Sequence, residues 1–214
     1  MAMTRSSFDT IVRSPHPTKL SEHPVVQLVS TISKKPLNIE EMQFIIAKNP
    51  VKVFKKGAYL LREGEISKHC YFNFKGLVRQ YYIKDGSEIT VEFFTDMQPV
   101  TATLSHVYGV PSKYNLECIE DCTMSMLEEQ DEKDLYRMFP HFETTCRIEL
   151  EKMHGEYQEK MTQYIHSTPE ERYLNVLDTR PDLLHRVPQY QLASYLGIKP
   201  ESLSRIRKRL ASKK

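Results

Sequence analysis

The stretch VPQYQLASYLGIKPESLSRIRKRL, from Val187 to Leu210, decides the fold of the C-terminal part of the chain. Apolar residues recur in it at helical spacing on both sides of a single glycine, at Leu192, Leu196, Leu203 and Ile206. Gly197 stands at the turn, where a positive φ is needed, and Pro200 suits the first position of the second helix. The pattern predicts a helix-turn-helix.

The second helix of this motif carries side chains suited to DNA. A recognition helix enters the major groove with its N-terminal residues toward the base edges. There Glu201 can accept a hydrogen bond from cytosine N4, and Arg205 can bind guanine O6 and N7 in a bidentate way. Other polar side chains suit phosphates, which supply affinity and register: Gln189, Lys199, Ser202, Ser204 and Arg207.

The charge of the chain supports this interpretation. The 214 residues have a formal net charge of +2, but residues 170–214 hold 10 Lys and Arg against 5 Asp and Glu, a net of +5. Residues 1–169 hold 20 against 23, a net of −3. An acidic body followed by a basic segment points to a polyanionic partner.

From Val51 to about Glu129 the hydrophobic period changes to two, as in β-strands. Short runs rich in Tyr, Phe, Val and Ile alternate there with turn signals, at 51–54, 58–61, 70–74, 77–83, 88–94, 114–119 and 122–127. Asp85-Gly86 between two of the runs is a hairpin signal. The segment predicts an antiparallel β jelly roll.

A long helix is predicted from Phe142 to about Ser167. Its apolar residues follow a spacing close to a heptad repeat, at Cys146, Leu150, Met153, Tyr157, Met161 and Tyr164. We favour a dimerisation helix with a seam at Leu150, Met153, Tyr157, Met161 and Tyr164. The alternative is a helix that lies on its own domain.

These elements give an α+β protein with an N-terminal jelly roll, a long dimerisation helix and a small α-helical helix-turn-helix domain. Thr168 is a natural N-cap with Glu171 completing a capping box, and we expect the last domain to begin there, with Tyr173, Leu174 and Leu177 facing inward. Asn38 and Glu41 form a similar box near the start of the chain. The predicted divisions are 1–140 for an N-terminal arm and sensor domain, 141–167 for the long helix and 168–214 for the DNA-binding domain.

Several functional classes lack support in the sequence. There is no GxSxG, Walker or GxGxxG motif, so we expect no catalytic residues and no enzyme. Cys118 and Cys122 form a CxxxC pair with no histidine nearby, and buried thiols are favoured over a metal site. No apolar stretch can span a bilayer and Met1 to Pro17 lacks the core of a secretory signal, so we expect a cytoplasmic protein without a membrane partner.

The order of these segments resembles the Crp/Fnr family of bacterial transcription regulators over nearly the whole length. KPESLSRIRKRL is similar to that family's recognition helix, and Glu201, Ser202 and Arg205 fall on its DNA-contacting positions. The resemblance implies a homodimer that binds double-stranded DNA at a pseudo-palindromic site, with RNA polymerase as a further candidate partner.

The sensor segment PVTATLSHVYGVPSKYNLECI, Pro99 to Ile119, departs from the cyclic-nucleotide-binding members. In those members a Glu binds the ribose hydroxyl and an Arg binds the cyclic phosphate. Here Ala102, followed by Thr103, stands at the Glu position and Ser112-Lys113 at the Arg-Ser position. A methyl group and a hydroxyl cannot replace a carboxylate and a guanidinium, so we expect no cyclic AMP bound in the usual way.

Other effectors of the family also lack a clear signature. An iron–sulfur cluster would need several N-terminal cysteines, whereas the first cysteine is Cys70. A haem would need an axial ligand such as His69 or His106, and nothing else marks either one. We therefore expect no resident cofactor, with room for an unidentified small-molecule effector. The functional alternative to a DNA-binding regulator is a ligand-binding or interaction protein with the same sensor fold and no DNA role.

Overall fold

The computed structural model describes residues 19–33 and 35–212. The predicted N-terminal arm up to residue 18, and Lys213 and Lys214, lie outside the described residues. Two helices come first, α1 (Pro24–Ser33) and α2 (Ile39–Lys48). Asn38 caps α2 in the predicted manner, because its side chain accepts from the backbone N–H of Glu41 while the Glu41 carboxylate accepts from that of Asn38.

Eight strands follow, interrupted by one short helix. Their bounds are β1 (Val51–Phe54), β2 (Tyr59–Leu61), β3 (His69–Lys75), β4 (Val78–Lys84), β5 (Ser87–Phe94), β6 (Gln98–Val100), β7 (Asn115–Cys118) and β8 (Cys122–Glu128). Helix α3 (Thr103–Tyr108) separates β6 from β7. The seven runs of period two all contain a strand, whereas β6 and α3 are absent from the sequence-based prediction.

The strands form two antiparallel four-stranded sheets, in the orders β1-β8-β3-β6 and β2-β7-β4-β5. The predicted hairpin joins β4 to β5, with Lys84 paired to Ser87. Asp85 and Gly86 have φ of 51° and 74°, the positive values that a two-residue type I′ turn requires. The architecture agrees with the predicted antiparallel jelly roll.

The C-terminal part of the described chain is helical. It contains α4 (Glu129–Met138), α5 (His141–His166), α6 (Pro169–Thr179), α7 (Leu183–Arg186), α8 (Gln189–Tyr195) and α9 (Pro200–Ala211). Thr168 and Glu171 form the predicted capping box before α6. Helix α7 was not predicted from the sequence.

Three apolar cores organise these elements. The first fills the roll between the sheets and includes Leu61, Val78, Leu116 and Met124. The second lies under α1, α2 and α4 and includes Phe74, Leu135 and Phe142.

The third core belongs to the last helices, but it also includes Leu77 and Phe93 from the sheet. Within α6, Tyr173 is buried as predicted. The inward placement of Leu174 and Leu177 is wrong, because 39% and 41% of these residues are exposed and Val176 takes the inner position.

Candidate functional site

Helices α8 and α9 lie on the two sides of the predicted turn at Gly197. Gly197 lies between them with a φ of 69°, and the N–H of Ile198 donates to the carbonyl of Ala193. A Cβ on Gly197 would lie 2.5 Å from the hydroxyl of Tyr164. Glycine is therefore required here both by backbone conformation and by space. The four predicted apolar positions are buried: Leu192, Leu196, Leu203 and Ile206.

The two predicted base-contacting side chains are exposed on α9. Glu201 and Arg205 occupy i and i+4, so both lie on one face of the helix. The Arg205 guanidinium lies along its own helix, with Nε 3.4 Å from the Glu201 carbonyl and Nη2 3.4 Å from Ser202 Oγ. Both distances are long for hydrogen bonds from nitrogen, so these two contacts are weak. The guanidinium can therefore leave them to bind a stronger acceptor.

The predicted phosphate-contacting side chains surround that face. Gln189, Lys199, Ser204 and Arg207 are exposed, and Ser202 is half-buried. Arg207 Nη1 donates to Gln189 Oε1 at 2.6 Å, which links α9 to the start of α8. The seven predicted side chains thus belong to two consecutive helices, with six of them on α9 or at its N-cap and Gln189 on α8.

Two arginines connect α6 with the helices that follow it and with α5. Arg209 forms an ion pair with Glu170 and joins the end of α9 to the start of α6. Arg172 donates to the Leu196 carbonyl at 3.1 Å, and its guanidinium carbon lies 3.8 Å from the ring centroid of Tyr164. The last turn of α5 and the turn between α8 and α9 are therefore in contact through Tyr164.

Helix α8 contacts β5, which is an edge strand of its sheet. The Ser194 hydroxyl accepts from the N–H of Thr90 at 2.9 Å and donates to the Glu88 carbonyl at 3.3 Å. Beneath it the fully buried Arg79 donates to Thr90 Oγ1 at 2.9 Å and to Glu88 Oε2 at 2.6 Å. Strands β4 and β5 and helix α8 thus share one hydrogen-bond network.

Two further arginines strengthen this contact. Arg180 donates to Glu92 Oε1 at 2.9 Å and also to the Phe93 carbonyl. Arg186 contacts Glu120 at 2.6 Å and Asp96 at 3.3 Å. The sequence analysis missed these residues and Ser194, because their partners lie about 65 or more positions away and no local pattern marks them.

The predicted seam of α5 is exposed in the single chain. The exposed fractions of Leu150, Met153, Tyr157 and Met161 lie between 41% and 58%, and Phe142 is the buried residue of this helix. Tyr164 is 39% exposed, yet it packs on Arg172 and Gly197 within the same chain. Its role includes an intrachain contact that the heptad pattern did not indicate.

The four residues predicted for the effector pocket lie at the two ends of the segment between β6 and β7. Ala102 is buried in the jelly-roll core before α3, and Thr103 and Lys113 are exposed. Ser112 is buried, and its hydroxyl donates to the Tyr114 carbonyl at 2.7 Å. A groove of about 480 Å³ lies nearby, lined by residues 64–69 with Leu60, Leu61 and Tyr71, and none of the four predicted residues lines it.

A separate group of side chains has the chemistry of metal ligands. Cys70, His106 and Glu132 bring one ligand atom each within 4.8 Å of one another. The Cys70 thiol and the Glu132 carboxylate raise the pKa of His106 to about 10. The sequence analysis missed this group because its members are on β3, α3 and α4, far apart in the chain.

The central part of the chain matches a known protein family. Residues 51–138 match the family described as the cyclic nucleotide-binding domain. No curated protein sequence matches the chain. No helix in the described part of the chain has the length and apolar content needed to cross a membrane.

Solved structures of bacterial regulators share the fold. The c-di-GMP-responsive global regulator CLP of Xanthomonas campestris is 16% identical with a TM-score of 0.64, covering 82% of this chain and 93% of that one. FixK2 of Bradyrhizobium japonicum is 17% identical with a TM-score of 0.62, over 77% and 85%. The catabolite activator protein of Thermus thermophilus is 18% identical with a TM-score of 0.51, over 85% and 87%. Residues 51–138 therefore resemble a cyclic nucleotide-binding domain, and the chain as a whole shares its fold with these three proteins.

Proposed function

We propose that the protein is a homodimeric, sequence-specific DNA-binding transcription regulator of the Crp/Fnr type. The observation that carries the proposal is the exposed polar face of α9, where Glu201 and Arg205 are free of the domain interior while Leu203 and Ile206 fix the helix from behind. The net charge of +5 over residues 170–214 supports a polyanionic partner.

In this proposal α9 lies in the major groove of the DNA. Arg205 leaves its long contacts with Glu201 and Ser202 and binds guanine O6 and N7, while the Glu201 carboxylate accepts from cytosine N4. The surrounding side chains bind phosphates and fix the register of the helix in the groove: Gln189, Lys199, Ser202, Ser204 and Arg207.

The dimer supplies the second reading helix. Pairing of the exposed seam of α5 with a second copy places two α9 helices on one face of the DNA. Two helices about 34 Å apart contact half-sites one helical turn apart, which corresponds to a pseudo-palindromic site. RNA polymerase remains a candidate partner on the grounds of the family resemblance alone.

The signal that controls this regulator is not cyclic AMP bound in the usual way. Ala102 presents a buried methyl group where the family places a carboxylate, and Ser112 already uses its hydroxyl on Tyr114. Lys113 offers a point charge rather than the guanidinium fork that grips a phosphate. Any effector changes DNA binding through the contact of β5 with α8, which joins the two domains at Ser194.

The test is the DNA affinity of the Arg205→Ala variant, measured by fluorescence anisotropy on duplexes selected from a random pool. Loss of a bidentate guanine contact should cost about 1–3 kcal/mol and relax sequence preference at one position of each half-site. Arg207→Ala should instead weaken binding to all sequences. It should also reduce the slope of the logarithm of affinity against the logarithm of salt concentration by about 1.

Arg147→Ala is the matched control, because Arg147 is an exposed arginine on α5 that pairs with Glu151. Its removal subtracts the same charge and should leave sequence preference unchanged. Equal affinities of the wild-type protein and the Arg205→Ala variant would refute the proposed base contact. Absence of any salt-sensitive DNA binding would favour the alternative, a sensor or interaction protein without a DNA role.

A further inference from the structure

Three side chains from separate elements converge beside the jelly roll. Cys70 comes from β3, His106 from α3 and Glu132 from α4, and their ligand atoms all lie within 4.8 Å of one another. His106 Nε2 and Glu132 Oε2 are 3.2 Å apart. The convergence depends on tertiary structure alone, since no two of the three residues belong to one element.

The histidine of this group is buried and incompletely satisfied. Its side chain is only 6% exposed. Its Nδ1 atom is buried without a hydrogen-bond partner among the described residues. The two nitrogens of an imidazole point in widely different directions, and the one that faces Glu132 is Nε2, so Nε2 is the candidate ligand atom and Nδ1 lies outside the cluster.

The carboxylate of the group is already oriented. The Tyr136 hydroxyl donates to Glu132 Oε1 at 2.7 Å, which leaves Oε2 directed toward His106. Metal-binding carboxylates are commonly fixed by such an outer hydrogen bond. The arrangement therefore contains both the candidate ligands and a residue that positions one of them.

The donor set selects the type of ion. A thiolate and an imidazole favour zinc over the hard cations Mg²⁺ and Ca²⁺, which prefer oxygen ligands. Zn–S and Zn–N bonds of about 2.3 and 2.0–2.1 Å at a tetrahedral angle put the ligand atoms about 3.4–3.6 Å apart. A spread of up to 4.8 Å is thus about 1 Å wider than a loaded site, which side-chain rotation can close.

We propose that Cys70, His106 and Glu132 bind a zinc ion, with water in the fourth position. Such an ion joins α3, which begins at the predicted effector residue Thr103, to α4, which leads into α5. The proposal stands apart from the DNA-binding role, because zinc binding can be measured on the isolated full-length protein without DNA.

The experiment begins with full-length protein stripped by a chelator and kept reduced. Zinc is titrated in competition with a chromophoric chelator, and Co²⁺ is used as a spectroscopic probe. We expect one zinc ion per chain, and a Co²⁺ complex with tetrahedral absorption bands and a thiolate charge-transfer band. Absence of stoichiometric binding, or a Co²⁺ spectrum without the thiolate band, would overturn the proposal.

Variants assign the ligands. Cys70→Ser should remove the thiolate band, and both Cys70→Ser and Glu132→Gln should weaken zinc binding more than 100-fold. Tyr136→Phe should weaken it about 10- to 100-fold, as for loss of an outer hydrogen bond. His69→Gln is the control, because His69 neighbours Cys70 on β3 but faces Glu128, and its binding should equal that of the wild type.

The Cys70→Ser variant also tests whether a different cysteine supplies the thiolate. Of the other three cysteines, Cys118 and Cys122 are fully buried free thiols in the jelly-roll core, and Cys146 is a half-buried free thiol on α5. If the charge-transfer band persists in Cys70→Ser, the ion is bound by another thiol and the proposal is wrong. If a variant fails to fold by circular dichroism, the stoichiometry and the Co²⁺ spectrum of the wild-type protein still decide whether this class of site exists.

Discussion

Replacing Met153 by glutamate should dissociate the proposed homodimer. Met153 lies in the exposed apolar stripe of α5, between Leu150 and Tyr157, and 42% of it is exposed in the single chain. An apolar stripe of this kind on a 26-residue helix is typical of a helix that packs on a second copy. A charge placed at its centre opposes that packing.

The size of the effect follows from the exposed area. Full burial of a methionine side chain contributes about 1.5–3 kcal/mol, so covering this exposed fraction contributes about 1 kcal/mol per protomer and about 2 kcal/mol per dimer. Two glutamates facing each other across a two-fold axis add about 1–2 kcal/mol of repulsion and desolvation. The dimer dissociation constant should therefore rise roughly 100- to 1000-fold.

The assay is sedimentation equilibrium over a wide range of protein concentration. Ile148→Glu is the matched control, because Ile148 is 51% exposed on the opposite face of the same helix and its replacement should leave the dimer intact. The reasoning fails if the wild-type protein is monomeric throughout. It also fails if Met153→Glu and Ile148→Glu weaken the dimer equally.

Three further outcomes are expected. Cyclic AMP and cyclic GMP should leave the melting temperature unchanged in a thermal-shift titration, and a dose-dependent rise would show that the protein binds them despite the substitutions in the sensor segment. Gly197→Ala should lower the free energy of unfolding by about 1–3 kcal/mol in urea titrations, because of its φ and its clash with Tyr164, whereas Gly155→Ala, in open space within α5, should raise it by about 0.5–1 kcal/mol. Burial raises the pKa of Glu117, so its charged form destabilises the fold above the unfolded-state pKa near 4.5 and the penalty is absent below it. Glu117→Gln should therefore stabilise the protein at pH 7 by less than about 1 kcal/mol and have no effect near pH 4, and an equal gain at both pH values would contradict this cause.

Features with a short-range physical cause could be predicted from the sequence. The capping boxes at Asn38 and Thr168, the Asp85-Gly86 hairpin and the glycine turn at Gly197 each depend on a few consecutive residues. The apolar faces of α8 and α9 followed from periodicity, since Leu192 and Leu203 are buried as the spacing indicated.

Features that depend on tertiary packing were missed. Periodicity placed Leu174 and Leu177 inside, but docking of α6 against α8 and the sheet buries Val176 instead. Short elements such as β6 and α3 hold too few residues to show a period.

The residues of the candidate sites also differ in whether the local sequence could indicate them. The exposed positions of Glu201 and Arg205 follow from helical phase, and the sequence could indicate them. The contact of Ser194 with Thr90 and the cluster around His106 arise only when distant segments meet, so no local pattern could indicate either one.

The most direct test of the proposed regulator is selection of bound duplexes from random-sequence DNA with the full-length protein. The account predicts enrichment of a pseudo-palindrome whose half-sites are about 10–10.5 base pairs apart, with a guanine preference that the Arg205→Ala variant loses. Failure to enrich any sequence, or enrichment of a single unpaired half-site, would contradict it.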